Sequence, residues 1–545
     1  MRRLYLYLVS AAAVLLLAGG LAALGATVLL FVFSDPSADS SRGQLAVFTA
    51  MTVVALPVWG IHFWFAQRFA GRDPYERTSA LRRLYLYFVC LVASIAAAVA
   101  ISDMVRELTQ PVLDNLKFDG VFAAQAGWTA AVFVAVWGLH FFVAVRDRAA
   151  VHEEGTSATL RRWYMYPALL FGLLTMLAGT QGVLQSGWSD VAAGSTTSSS
   201  NFSGPLSLVV AGSLIWGFHA RAIAVLYAVE DRHSTLRTLE GFIAVTVSIA
   251  TALFGASQIL FYALARALGV SNPGGASDSV FVAAAMPASQ LIVYGVAWFL
   301  IRRRLARDSA TQEADRQAGV RRLYTNLASL VSLIAWGIGA GGLLWTAAEQ
   351  LEAPIIGVSV PDWKQPLSLW ITLLAVGLAV WLTHWRDAPW AADRQSLSRR
   401  LYVWASVLGA VLVVIGGGVG MINALFQQLF SAHPRLDDPA NLDFGHFLGV
   451  IVVAAGIGVY HLRVLRADAA ARPPRRKQAV APAQTTATPA ITTGAGAPEA
   501  LGPHARRYTL LVTDATDDDV HSALANLPPQ ASYKLSSLET PVDGH

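Results

Sequence analysis

The sequence is poor in charge and in cysteine. Charged residues make up 14% of the 545 residues and apolar residues 55%, whereas soluble globular domains are about one quarter charged. A plain soluble globule is therefore excluded, and the composition is typical of an integral membrane protein. The single cysteine, Cys90, lies in an apolar run, so no intrachain disulfide can form. Carboxylates are scarce in the apolar runs, with Glu240 as the exception, so the usual marks of an ion-coupled carrier are missing.

Twelve apolar runs are long enough to cross a bilayer, which takes about 20 helical residues. Backbone amides in hydrocarbon must be paired within their own segment, so these runs are predicted to be helices. The predicted fold class is an all-α polytopic membrane protein with a small α+β cytoplasmic tail. The predicted spans are 4–33, 44–68, 83–106, 120–145, 162–186, 204–229, 238–267, 280–301, 322–348, 366–385, 400–430 and 445–465.

Two short sequence motifs, which we call words, recur along these runs. The first, Arg-Arg-Leu-Tyr, opens units at residues 2, 82, 161, 321 and 399, with a tryptophan replacing the leucine in the third copy. The second, Trp-Gly-x-His, closes units at residues 62, 140 and 219, and in weakened form at 384 and 461. A fourth unit departs from both words, with Glu240 at the tyrosine position and Ala297 at the histidine position. The words predict six two-helix repeats, the fourth of them degenerate.

The repeats set the predicted domain boundaries. The first run has the features of a signal peptide, but it opens with the same word as its internal copies, which favours a retained helix. The predicted segments are repeats at 1–80, 81–158, 159–234, 235–318, 319–396 and 397–470, a disordered linker at 471–504 and a small β-α-β-like cytoplasmic segment at 505–545. That last segment is too small for a reliable core of its own, so it is expected to dock on the membrane domain or on a protein partner.

Basic residues predict the orientation. The N-terminus, every second loop and the first stretch after the last helix hold 30 lysines and arginines, and the opposite loops hold six. Both termini are therefore predicted to lie in the cytoplasm. Two helices per unit make successive units parallel, which disfavours inverted-repeat transporter folds. The basic residues are dispersed between apolar runs, so the expected partner is the lipid bilayer and nucleic acid is not implied.

Tyrosine and histidine of each unit are predicted to lie at similar depth in one leaflet. Because the fourth unit has lost both, we expect the tyrosine to hydrogen-bond the histidine of its own unit or of a neighbour. The arginines and tryptophans are then interface anchors, and the glycine beside each tryptophan is expected to let a helix approach closely. The candidate residues are Tyr5, His62, Tyr85, His140, Tyr164, His219, Tyr324, His384, Tyr402 and His461.

A functional alternative exists for these histidines. Five of them at one depth could ligate haem or a metal, or relay protons, because intramembrane ionisable residues are candidates for function. Regular recurrence argues against a cofactor, which needs two to four convergent ligands, so no cofactor or metal is predicted and haem stays the alternative. No catalytic signature is present, and the protein is predicted not to be an enzyme.

Tandem helix pairs with these two words resemble the prokaryotic membrane family catalogued as domain of unknown function 5671. The resemblance extends over residues 1 to about 466, most clearly in units one to three. It implies the fold and a location in the cytoplasmic (inner) membrane of a bacterium or archaeon. The family has no established activity, so the resemblance implies no function. The function predicted is a helical membrane scaffold or sensor, and the alternatives are a solute transporter or channel and a haem-binding redox protein.

Overall fold

The computed structural model describes residues 2–34, 39–151, 155–193, 201–227, 231, 234–275, 279–309, 315–356, 359, 362–386, 396–430 and 443–470. All of them belong to one compact unit, Met1–Pro473. The predicted linker at 471–504 and the predicted β-α-β segment at 505–545 lie outside the described residues.

Within the described residues every regular element is a helix, and twelve helices are long and apolar enough to cross a membrane. They are α1 (Arg2–Phe33), α2 (Asp39–Arg72), α3 (Ala80–Leu113), α4 (Gly120–Ala150), α5 (Gly155–Ala193), α6 (Ser203–Leu226), α7 (Thr235–Ala267), α8 (Ala285–Ser309), α9 (Asp315–Ile356), α10 (Lys364–Arg386), α11 (Leu397–Phe430) and α12 (Asp443–Ala470).

The twelve predicted helices are confirmed, and most of them are longer than the predicted spans. α5 has 39 residues and α9 has 42, because a helix continues beyond the apolar stretch that hydropathy detects. The eighth span begins with a separate short helix, Val280–Ala283, capped by the Ser279 side chain. Another short helix, Pro74–Arg77, follows α2, where the Asp73 carboxylate accepts from the Tyr75 amide at 2.9 Å.

Each helix packs most extensively against a chain neighbour, which groups them as pair 1 (α1, α2) through pair 6 (α11, α12). The contacts between pairs repeat one rule. The first helix of each pair packs against the first helix of the next pair, and also against its second helix. Thus α1 contacts α3 and α4, α3 contacts α5 and α6, and the same holds through α9, which contacts α11 and α12. Neighbouring pairs therefore meet at five joins of similar construction.

Close helix approach depends on glycines outside the recurring words. A Cβ added at Gly179 of α5 would lie 2.6 Å from the carbonyl oxygen of Pro205 in α6. Gly60, Gly138 and Gly217, the glycines of the Trp-Gly-x-His words, have no neighbouring atom within 4 Å of an added Cβ. The expectation that these three let a helix approach was therefore wrong, because they lie on a helix face that meets no other helix among the described residues.

Candidate functional site

The five word histidines use ring atom Nδ1 in the same way. In each, Nδ1 lies 2.7 to 2.9 Å from the backbone carbonyl oxygen four residues earlier. A carbonyl oxygen can only accept a hydrogen bond, so Nδ1 carries the proton and donates it within its own helix. In the neutral imidazole, Nε2 is then the acceptor. This backbone bond therefore fixes both the tautomer and the ring orientation.

Each tyrosine of the first word lies at the histidine of its own pair. The distances from hydroxyl to Nε2 are 3.4 Å for Tyr5 and His62, 2.8 Å for Tyr85 and His140, 2.9 Å for Tyr164 and His219, 3.5 Å for Tyr324 and His384, and 2.9 Å for Tyr402 and His461. Because Nε2 accepts, the hydroxyl donates. The three short bonds are buried, whereas Tyr5 is 62% exposed and Tyr324 is half-buried.

A tryptophan of the preceding pair donates to the same hydroxyl at three joins. The indole Nε1 to hydroxyl distances are 3.3 Å for Trp59 and Tyr85, 2.8 Å for Trp137 and Tyr164, and 2.9 Å for Trp381 and Tyr402. Each tryptophan stands three residues before the histidine of one pair, and each tyrosine belongs to the next pair. We call this arrangement the Trp–Tyr–His link: an indole of one pair donates to a tyrosine, which donates to a histidine of the following pair.

The link accounts for the difference between short and long tyrosine–histidine bonds. An indole that donates to the hydroxyl oxygen polarises the O–H bond and makes it a better donor. The three tyrosines that accept a hydrogen bond from an indole make the short bonds to histidine. Tyr5 and Tyr324 make the long ones, and no bond from an indole is seen for them in the described part. Tyr5 belongs to the first of the six described pairs, and pair 4, which precedes Tyr324, has Tyr294 where the tryptophan stands elsewhere.

In the fourth pair an ion pair takes the place of the tyrosine–histidine hydrogen bond. Glu240 is buried, with 3% of its surface exposed, and its carboxylate binds the guanidinium of Arg304 on α8. Glu240, the exceptional carboxylate of the apolar runs, is therefore balanced by a counter-charge from its own helix pair. A buried carboxylate without such a partner would be strongly destabilising.

A shift in helix register explains why Glu240 meets Arg304 and not Ala297. In pairs 3 and 5 the glycine 15 residues after the word tyrosine contacts the carbonyl oxygen 14 residues before the word histidine; these contacts are Gly179 with Pro205 and Gly339 with Trp370. In pair 4 the equivalent glycine, Gly255, contacts the carbonyl of Pro287, which is 10 residues before Ala297. The helix α8 is therefore displaced by four residues, about 6 Å along its axis.

Buried arginine–carboxylate pairs lie next to the links, nearer the beginning of the first helix of each pair. They were not predicted from the sequence. Arg82 Nε donates to Asp147 at 2.6 Å, and Arg161 Nη2 donates to Asp231 at 2.7 Å, with all four side chains almost fully buried. Similar pairs join Arg3 to Glu76 and Arg399 to Asp468, each at 2.8 Å. We refer to this end of the helix bundle as the arginine end. A carboxylate seven residues after the histidine in pairs 2 and 6 was the available signal.

Arg82 also reaches the preceding pair. Its Nη1 donates to the Ala66 carbonyl at 3.1 Å and its Nη2 to Gln67 Oε1 at 3.0 Å, both on α2. The first join is therefore held at two levels, by this guanidinium and by the link from Trp59. Within the described residues no group of three or more histidine, cysteine, aspartate or glutamate side chains is arranged to hold a metal ion.

The long apolar helices are those of a multi-pass helical membrane protein. The family model described as "Domain of unknown function (DUF5671)" matches residues 3–130 and 322–456. The resemblance to this family is thereby confirmed in two segments, as tandem copies would give, but the expectation that unit three is among its clearest copies is not confirmed. The matched segments lie in pairs 1 and 2 and in pairs 5 and 6, and leave pairs 3 and 4 outside. No curated protein and no solved structure was found to match the chain.

Proposed function

We propose that the protein is a non-enzymatic scaffold or sensor of the bacterial or archaeal cytoplasmic membrane, built from six parallel helix pairs. The Trp–Tyr–His link carries this proposal. It uses the histidine Nε2, the tyrosine hydroxyl and the indole N–H for bonds between helices, while the histidine Nδ1 is held by a backbone carbonyl of its own helix. A scaffold requires fixed joints between its units, and each link supplies one at the join of two pairs.

The same bonds weigh against haem as the role of the histidines. Iron would need the Nε2 lone pair, which in His140, His219 and His461 accepts a hydrogen bond from the tyrosine hydroxyl at 2.8 to 2.9 Å. The test is the visible spectrum of the purified protein, oxidised and then reduced with dithionite, after expression with added haem precursor. A colourless sample supports the proposal. A Soret band that shifts on reduction and is lost in His219→Ala but kept in His62→Ala would overturn it.

The proposed orientation puts the arginine end and both termini in the cytoplasm. The support is the excess of basic residues in the loops at that end. Green fluorescent protein fused after His545 is expected to fluoresce, and alkaline phosphatase at the same point to be inactive. The opposite pair of results would reverse the orientation.

We place the tail against the membrane domain or a protein partner, through which a sensor would signal. A chain ending at Ala470 that unfolds like the full chain would exclude docking on the membrane domain.

Substrate-dependent flux in proteoliposomes, absent from empty vesicles, would replace the scaffold by a transporter or channel.

A further inference from the structure

An apolar cavity of about 330 Å³ lies at the first join, between α1 and α4. Val14, Ala18 and Leu21 line it from α1, and Ala131 and Ala135 line it from α4. These positions fall inside the two apolar spans, so the cavity lies at the depth of the lipid hydrocarbon. We call it the slot.

Two tryptophans mark the ends of the slot. Trp128 lies over Gly25 of α1, and its indole donates to the Leu21 carbonyl at 3.0 Å, which closes the end away from the arginines. Trp59 and His140 form the arginine end. From Trp128 to His140 the helix rises about 18 Å, which is more than half of a hydrocarbon core of about 30 Å. The slot is therefore long and narrow, parallel to the helices.

The other linked joins have a bulky ring where the slot has an aliphatic side chain. The residue before the word histidine is Leu139 in pair 2, and it lines the slot. The equivalent Phe218 packs edge-on against Trp137 at 4.7 Å, and the equivalent Tyr460 packs edge-on against Trp381 at 5.8 Å. In the same comparison Ala135 is replaced by the larger Leu214 at the second join and by Gly456 at the join of pairs 5 and 6, so the ring before the histidine is the difference that both other linked joins share. At the first join, the smaller side chains leave open the space beside Trp59.

We propose that the slot binds one acyl chain of an anionic phospholipid. The lining is aliphatic and aromatic, and the one ionisable side chain in it, His140, already uses both ring nitrogens. An unbranched hydrocarbon chain matches a long, narrow space that is continuous with the α1–α4 interface and lies within the bilayer. Exposed Arg68 and Arg146, about two helical turns beyond the arginine end of the slot, complement a negative headgroup.

Photolabelling tests the proposal on the full chain. The protein is reconstituted in phosphatidylethanolamine vesicles that contain phosphatidylglycerol with a diazirine in the middle of its acyl chain, and is irradiated and digested with trypsin. The peptide between Lys117 and Arg146 carries the α4 wall of the slot. We expect it to be labelled in the wild type, and the label to be lost in Leu139→Phe, which copies the filled second join. Phe218→Leu is the matched control and should keep the label.

Three results would overturn the inference. Equal labelling of that peptide in wild type and Leu139→Phe would show that the label comes from lipid around the helices and not from the slot. Equal labelling by a phosphatidylcholine probe of the same chain would remove the anionic headgroup from the proposal. If Leu139→Phe does not fold, Ala135→Leu fills the same space with the side chain found at Leu214, and an undiminished label in that variant would count equally against the slot.

Discussion

Removal of one hydroxyl group, by Tyr164→Phe, tests the Trp–Tyr–His link most directly. The hydroxyl donates to His219 at 2.9 Å and accepts from Trp137 at 2.8 Å, and Tyr164 is 1% exposed. The substitution removes both bonds and leaves the buried acceptor on His219 and the partly buried donor on Trp137 without these partners. Hydrogen bonds between membrane helices are worth about 0.6 kcal/mol on average and at most about 1.7. Two such bonds predict a loss of about 1 to 3 kcal/mol in the free energy of unfolding.

The assay is reversible unfolding in mixed detergent micelles, followed by tryptophan fluorescence and circular dichroism. Tyr5→Phe is the matched control, because it removes the same group from a tyrosine that is 62% exposed and makes one bond of 3.4 Å to His62. We expect the control to lose less than about 0.6 kcal/mol. A double-mutant cycle with Trp137→Phe then isolates the coupling across the join between pairs 2 and 3.

The reasoning fails if Tyr164→Phe and Tyr5→Phe destabilise equally. That result would mean that the two bonds at Tyr164 are replaced on substitution, or that they are equally available in the unfolded chain within the micelle. Zero coupling between Tyr164 and Trp137 would refute the cooperative link even if Tyr164→Phe were destabilising.

Three further predictions use the same unfolding assay. Asp147→Ala leaves its buried arginine partner without a counter-charge and should cost about 3 to 5 kcal/mol, and a loss below 1 kcal/mol would show that the charge is compensated elsewhere. Glu240→Tyr combined with Ala297→His restores the tyrosine and the histidine in pair 4, but the one-turn register shift keeps the residues apart, so a double-mutant cycle should give no favourable coupling. Gly179→Ala should destabilise, because its Cβ would lie 2.6 Å from a carbonyl oxygen, whereas Gly60→Ala should not, and equal effects would contradict the helix contacts.

The number and positions of the helices could be predicted from the sequence, because hydrocarbon leaves a long apolar run one way to satisfy its backbone. The two words also placed tyrosine and histidine at similar depth. Whether the tyrosine meets the histidine of its own pair or of a neighbour was left open, because depth says nothing about lateral order. The structure places Tyr85 at His140 of the same pair and gives the neighbouring pair a different role, through Trp59.

The tryptophan donors and the acidic partners of the arginines were not predicted from the sequence. A tryptophan near a bilayer surface is ordinarily an interface anchor, and its donor role becomes visible once the order of the helix pairs is known. The acidic partners of the arginines have no fixed spacing: Asp147 lies seven residues after its histidine, Asp231 lies 12 after and Glu76 lies 14 after. The register shift of pair 4 has no local signature at all, because the words that would reveal it are absent there.

Pair 4 separates two linked groups within the membrane domain. Links join pairs 1 to 2 and 2 to 3, and another joins pairs 5 to 6. At pair 4 the tyrosine, the histidine and the tryptophan are all replaced, and α8 lies one turn out of register. The segments that match the family model fall on the two sides of this pair. Since neighbouring repeats in such arrays stabilise one another mainly across their shared joins, and no link is seen at the two joins of pair 4 among the described residues, we expect coupling along the array to be weakest there.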